Sequence, residues 1–228
     1  VFVAVLAGML FDAYLELPLA LVLVAFMVLF SAGSERGRFL AMLGCLAVLV
    51  GAIGFVFATS AGVVASARNF YGTLSVRQVA ADAQGPARLR LAHGNTVHGE
   101  QWLDPAFRGR PIGYYGAASG VGLALGWLHA NTQGAHRVGV IGLGAGTLAS
   151  YGRAGDDYRF YEIDPTVAQF ADRHFSFLRD SAAASAVVLG DGRLKLEAEA
   201  PNGYRMLVVD AFSSDAIPMH LLTVEAMR

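Results

Sequence analysis

Two apolar runs near the start of the chain constrain its fold most. Residues 13–33 read AYLELPLALVLVAFMVLFSAG, and residues 39–60 read FLAMLGCLAVLVGAIGFVFATS. The second run holds no charged residue, and the first holds only Glu16. About 20 consecutive apolar residues suffice for a helix to cross the hydrocarbon core of a bilayer, and a helix satisfies its own backbone in lipid. Both runs are therefore expected to span a membrane as a helical hairpin, joined through the polar stretch SERGR. Residues 1–11, VFVAVLAGMLF, look like the end of a third apolar segment, and no Met opens the chain. It reads as a piece of a longer membrane protein. A secretory signal is the competing reading. It fails because the first run lacks a basic flank and no cleavage site separates the two runs. Two buried helices of a soluble fold are the other alternative, but consecutive runs of spanning length are rare there.

The apolar excess is local. The 228 residues are 55% hydrophobic and 15% charged, with a mean hydropathy of +0.48, yet most of the excess lies in the first 65. A net charge of −1 leaves no footprint for nucleic acid. The one cysteine, Cys45, cannot form an intrachain disulfide.

From residue 66 the texture changes. GTLSVRQVAA, ARLRLAHG and TVHGEQWL alternate apolar and polar residues between Gly, Asp and Pro, the pattern of short antiparallel strands. GAASGVGLALGWLHA then predicts a helix. Strands at RVGVIG, YRFYEI, AVVLG and RMLVVD alternate with helices at TLASYGRA, PTVAQFADRHFSFL, GRLKLEAEA and AIPMHLLTVEAM. Such alternation predicts a parallel, doubly wound sheet. The expected class is α/β, with membrane helices over 1–65, a small antiparallel β-domain over 66–116, and a Rossmann-like domain over 117–228 that lacks the end of its fold.

The ligand of such a sheet belongs at the carboxyl ends of the strands. Gly142, Gly144 and Gly146 come after the first parallel strand, where glycines permit a tight turn and close approach of a ligand, and the next helix would offer free N–H groups. The third glycine comes one residue too early for GxGxxG, and no Lys-Ser/Thr pair marks a P-loop. Glu162 ends the second strand, 20 residues after Gly142, where a carboxylate can accept both hydroxyls of a ribose. Asp191 ends the third strand, within reach of an adenine amino group. Asp191 and Asp164 also fit as helix N-caps. Loop, acid and acid at successive strand ends form a constellation for adenosine.

These motifs, VIGLGAGTLA, YEIDPTVAQFA, GDGRLKLE and YRMLVVDAFSSDAIP, resemble the spermidine synthase family within the class I S-adenosylmethionine-dependent methyltransferase fold. The resemblance covers about residues 70–228, and a bacterial branch with the synthase-like domain fused after membrane helices is more similar still. It implies transfer of an aminopropyl group from decarboxylated S-adenosylmethionine, or use of S-adenosylmethionine itself, with a small amine as acceptor and no metal. It implies that Glu162 holds the ribose, Asp191 the adenine, and that Asp210 is the base. Asp215 would be the second acid of the acceptor motif. Gln101 corresponds to a glutamine near the sulfonium, and Tyr114 or Tyr115 to a tyrosine of the amine site. It further implies a multi-pass protein of the bacterial inner membrane. Two departures fall on amine recognition. The family loop GGGDGG has an acid where this chain has Ala145, and Asp210 and Asp215 are five residues apart rather than three. Two other functions therefore stay open: a non-catalytic subunit of a membrane complex, and a methyltransferase.

Arg36 and Arg38 would place the hairpin loop in the cytoplasm by the positive-inside rule. A nucleotide-type domain argues for the opposite orientation, with the soluble part cytoplasmic, and that is the expectation adopted. His93 and His98 lack a third metal ligand. His129, His136, His174 and His220 look scattered, and Trp102, Trp127 and Phe170 look like packing residues.

Overall fold

The computed structural model describes residues 11, 15–31, 33–212 and 218–227. The chain divides into two compact units, Val1–Thr73 and Leu74–Arg228.

In the first unit, α1 runs Glu16–Ser31 and α2 runs Glu35–Ser60. The hydroxyl of Ser34 caps α2 by accepting from the Gly37 N–H at 3.0 Å. The Cys45 thiol donates to the Ala25 carbonyl at 2.9 Å and ties the two helices together. The 26 residues of α2 reach about 39 Å at 1.5 Å per residue, so this helix is long and apolar enough to cross a bilayer. The 16 described residues of α1 reach only about 24 Å, short of the roughly 30 Å hydrocarbon core. The expected span of 13–33 is thus met by a shorter helix among the described residues. Apolar side chains along both helices stay exposed, as with Phe30 at 84% and Phe57 at 75%.

The antiparallel sheet has the order β1-β2-β3-β4, with β1 Val63–Asn69, β2 Gly72–Val79, β3 Arg88–His93 and β4 Thr96–Trp102. The β3–β4 register shifts between Leu91 and Ala92, which sets Gly99 opposite Leu91. Arg88 on β3 is buried. Its guanidinium is held by the carboxylates of Asp82 and Glu100, each 2.9 Å away, and the pairing offsets the cost of burying a charge.

The second sheet is parallel, with the order β7-β6-β5-β8. Its strands are β5 Arg137–Ile141, β6 Asp157–Glu162, β7 Ala184–Leu189 and β8 Met206–Val209. In chain order the first parallel strand thus lies between the second and the fourth. The chain order therefore reverses at β5, and in such sheets ligands bind at the carboxyl ends of the strands at that point. Helix α3, Gly120–Asn131, packs Leu125 and Leu128 onto Val138, Val140, Tyr158 and Phe160, all buried. Helix α4, Pro165–His174, begins with Pro165, and Asp164 caps it by accepting from the Thr166 N–H at 2.8 Å.

Three expected helices are corrected. TLASYGRA forms only a 3-10 turn, Thr147–Tyr151, because Gly146 in the left-handed region and Gly152 bound it too closely for an α-helix. PTVAQFADRHFSFL breaks after His174 into α4 and the single turn α5, Phe177–Asp180, where the Ser176 N–H turns aside to the Gln101 side chain. The last segment shows a 3-10 turn at Met219–Leu221 among its described residues. GRLKLEAEA does form a helix, α6 Gly192–Ala198. Trp127 is 63% exposed and does not pack in the core. Phe160 is fully buried, so Phe160→Ala should cost about 3–5 kcal/mol, read as a lower midpoint of chemical denaturation.

Candidate functional site

The glycine loop is built by close backbone approach. Gly142, Gly144 and Gly146 have φ of 99°, 53° and 79°, in the left-handed region that favours glycine. A Cβ at 142 would lie 2.3 Å from the Asp210 carbonyl oxygen, and one at 144 would lie 2.3 Å from that of His98. The Gly142 N–H donates to the Tyr161 carbonyl at 2.8 Å, and the Ala145 N–H to the His98 carbonyl at 3.2 Å. The loop is therefore pinned between β5, β6, β8 and β4. The helix N-terminus expected after it is replaced by the 3-10 turn at Thr147, so any ligand there meets loop amides rather than the end of an α-helix.

Glu162 is buried at the carboxyl end of β6. Its Oε2 accepts from the Leu143 N–H and its Oε1 from the Asp164 N–H, both at 2.9 Å. Burial pushes its carboxyl up, and the backbone amides oppose the shift. Each carboxylate oxygen has two acceptor sites, so these two bonds leave the group with capacity to accept more. Asp191 caps α6 by accepting from the Leu194 N–H at 3.1 Å, and its Oδ2 lies 3.1 Å from His220 Nε2. Gln101 has a structural task. Its amide donates to the Ser176 hydroxyl at 3.0 Å and the Arg108 carbonyl at 3.2 Å, while its oxygen accepts from the Ser176 N–H at 3.0 Å. Both polar atoms of its side chain thus have protein partners.

Asp210 comes directly after β8, beside the loop. The Tyr115 hydroxyl donates to its Oδ2. The Tyr114 hydroxyl lies 3.1 Å from both the Tyr115 hydroxyl and the Val97 carbonyl. The structure thus joins Tyr114, Tyr115 and Asp210 in one hydrogen-bonded row. A Cβ at Gly144 would lie 3.4 Å from the Tyr115 hydroxyl, which puts the row against the loop. Burial pushes the Asp210 carboxyl up to about 6, against the lowering effect of the Tyr115 bond. Burial also raises Tyr114 to about 12, and Tyr115 rises well above its usual value through burial and the Asp210 charge. Both phenols stay protonated at neutral pH and act as donors. Asp215 lies outside the described residues.

Over 96 residues, 39% of this chain, the sequence is 35% identical to a polyamine aminopropyltransferase of Vibrio vulnificus. The chain resembles the spermidine synthase family. It spans 31% of the length of that curated relative. No family model matches the chain. Among solved structures, a spermidine synthase from Thermotoga maritima aligns with a TM-score of 0.49 and 18% identity, covering 72% of this chain and 50% of that one. A spermidine synthase in complex with the transition state analogue AdoDATO aligns with a TM-score of 0.43 and 17% identity, covering 72% of this chain and 52% of that one.

Several residues at or near the site have surroundings that the sequence pattern does not show. Thr147 Oγ1 and His98 Nε2 are buried beside the loop with no hydrogen-bond partner among the described residues. Thr147 is hidden in a stretch of helical composition, and His98, paired in spacing with His93, reads from the sequence as a turn or hydrogen-bonding residue rather than a metal ligand. Ala145, where the family has an acid, is 1% exposed and packs on Gly99, whose added Cβ would lie 2.6 Å from that of Ala145. His129 and His136, scattered along the sequence, meet at Asp156.

The raised carboxyl of Asp210 makes stability depend on pH. The folded state holds its proton more tightly than the unfolded chain, where Asp titrates near about 3.9. Its contribution is therefore fully present below about pH 4 and lost as pH rises through about 6. Thermal unfolding of Asp210→Asn and wild type across that range should show the two curves parting between those values, with the variant gaining as pH rises.

Proposed function

We propose that this chain is a membrane-anchored, spermidine synthase-like transferase that moves an aminopropyl group from decarboxylated S-adenosylmethionine to a small amine. The observation that carries this reading is the Tyr115–Asp210 pair at the carboxyl end of β8, against the glycine loop of β5. Glu162 would accept the two ribose hydroxyls through its unused lone pairs, and Gly142, Gly144 and Gly146 would let the ligand lie on the backbone. Asp191 would meet the adenine amino group in place of His220. Gln101 would shape the sulfonium end from behind, through Ser176, rather than touch the ligand.

The chemistry is a direct displacement. The amine nitrogen attacks the carbon bonded to sulfur, the C–N bond forms, and the C–S electron pair stays on sulfur as a neutral thioether. The proton released by the nitrogen goes to the Asp210 carboxylate. With its carboxyl raised to about 6, Asp210 is mostly ionised at pH 7 yet basic enough to take that proton. The Tyr115 hydroxyl orients the carboxylate, and positioning of the two reactants contributes the rest.

Ala145 favours a second reading. No acid stands in the loop to meet a cationic aminopropyl group, and methyl transfer from S-adenosylmethionine has no need of one. A chain that binds the donor without turning it over, as a subunit of a membrane complex, has the same support. Product mass separates methyl from aminopropyl transfer, and a lack of either product with bound donor leaves the subunit reading. For the transferase, Asp210→Asn should cut turnover by about 10²–10⁴-fold with donor affinity kept. Glu162→Gln should weaken donor binding by about 1.5–3 kcal/mol, as measured by calorimetry.

The exposed apolar flanks of α1 and α2 support placement of this unit in the bacterial inner membrane, with the adenosyl-binding part cytoplasmic and other membrane subunits as partners. The full-length protein should stay with the membrane pellet through high salt and carbonate and be released only by detergent. Release by carbonate alone would refute the anchoring.

A further inference from the structure

At the end of the parallel sheet opposite the glycine loop, three residues of different segments converge. His129 is in the last turn of α3, His136 directly precedes β5, and Asp156 directly precedes β6. All three are buried, with side chains 2–4% exposed. His129 Nε2 lies 3.2 Å from Asp156 Oδ2, and His136 Nδ1 lies 3.3 Å from Asp156 Oδ1. One donor atom from each falls within 4.8 Å of the other two.

The protons decide what this cluster can hold. The Thr132 hydroxyl has one proton, and it goes to the Leu128 carbonyl at 2.6 Å. Its contact with His136 Nε2 must then be an N–H donated to the Thr132 oxygen. In the neutral ring this leaves a lone pair on His136 Nδ1, aimed at a carboxylate oxygen that also carries lone pairs. Two acceptors facing each other at 3.3 Å in a buried site repel unless a cation sits with them. The carboxylate is meanwhile held in place by backbone, with the His136 N–H on Oδ1 at 2.8 Å and the Arg153 N–H on Oδ2 at 3.0 Å.

We propose that His129, His136 and Asp156 form a binding site for a divalent transition metal of the Zn²⁺ class, separate from the adenosyl site. Two imidazoles and a carboxylate are a usual three-ligand set for zinc. Bonds of about 2.0–2.1 Å in a tetrahedral shell place neighbouring ligand atoms roughly 3.3–3.4 Å apart; the two imidazole nitrogens stand 3.2 and 3.3 Å from the two different oxygens of the carboxylate, so a metal held by one oxygen needs only a small shift of these side chains. The outer partners are also in place. Thr132 fixes the tautomer and rotation of His136, and two amides fix Asp156, as outer partners of metal ligands do. The Arg153 guanidinium, 3.3 Å from the His129 carbonyl, adds positive charge nearby, so the fourth position suits water, hydroxide or a small anion. The site joins α3 to the starts of β5 and β6 and so cross-links the amino ends of the two central strands.

The test uses the full chain without a histidine tag, in detergent, stripped with a chelator and titrated with ZnCl₂ and separately with CoCl₂. The expected result is one ion bound per chain, a rise in Tm with zinc, and a visible cobalt spectrum of tetrahedral nitrogen and oxygen ligation. His129→Gln disturbs least, since among the described residues its side chain bonds only to Asp156, and it should weaken zinc binding at least about tenfold. Glu162→Gln, at the other end of the strands, should leave zinc binding unchanged, so the result stands apart from the fate of the transferase reading. Absence of saturable binding by the stripped protein would overturn the proposal. So would zinc binding that is untouched in both His129→Gln and Asp156→Asn, or a cluster stabilised by acid alone with no response to metal, in which a proton on His136 takes the cation's place.

Discussion

Backbone packed on backbone at the end of β5 is the constraint on which the candidate site depends. A Cβ at Gly142 would fall 2.3 Å from the Asp210 carbonyl and a Cβ at Gly144 would fall 2.3 Å from the His98 carbonyl. These two approaches let the first parallel strand end flush against its neighbour β8 and against β4 of the antiparallel sheet. Every functional side chain inherits its place from that. Glu162 reaches the loop through the Leu143 N–H, and the Tyr115 hydroxyl lies over Gly144 while it donates to Asp210. Larger side chains at 142 or 144 would push β8 and β4 away and separate the acid from the loop.

The fold is legible where periodicity and punctuation agree. Strand-helix alternation after residue 136 signals the parallel sheet, and Asp164-Pro165 marks a helix start that the Asp164 cap realises. Glycine spacing reveals the loop but not the turn after it, because a stretch such as TLASYGRA has helical composition while Gly146 and Gly152 leave it five residues. The break after α4 is invisible for another reason. It is made by Gln101, 75 residues away, taking the Ser176 amide, and no local pattern encodes a partner so distant. The meeting of His129, His136 and Asp156 is of the same kind, since it arises from where α3, β5 and β6 begin and end rather than from any ligand spacing.

Two acids at the ends of the strands that flank β5 are both raised by burial but differ in the groups that hold them. Glu162 accepts from backbone amides that favour its charge, against burial that disfavours it. Burial prevails at both, and at Asp210, whose partner is one neutral phenol, the carboxyl rises to about 6. A carboxylate held by fixed amides suits the static task of accepting ribose hydroxyls. One with a single phenol partner and a raised proton affinity suits the transient task of taking a proton.

Ala145 bears on the same division. Its side chain is packed on Gly99, a position where no Cβ fits beside it. Small residues thus face each other across the loop and β4. An acid at 145 in this setting would be buried against backbone, near the unpaired Thr147 hydroxyl and with no cation of the protein in the described contacts to meet it. The small residue at 145 is therefore tied to the way β4 closes on the loop. In the proposed transferase, recognition of a cationic amine would fall to the other side of the loop, where Asp210, Tyr115 and Tyr114 stand in a row. One negative charge there meets one ammonium at a time. A site of this construction can hold an amine acceptor or an amine on the donor's tail, and holding both together requires a second acid from beyond the row.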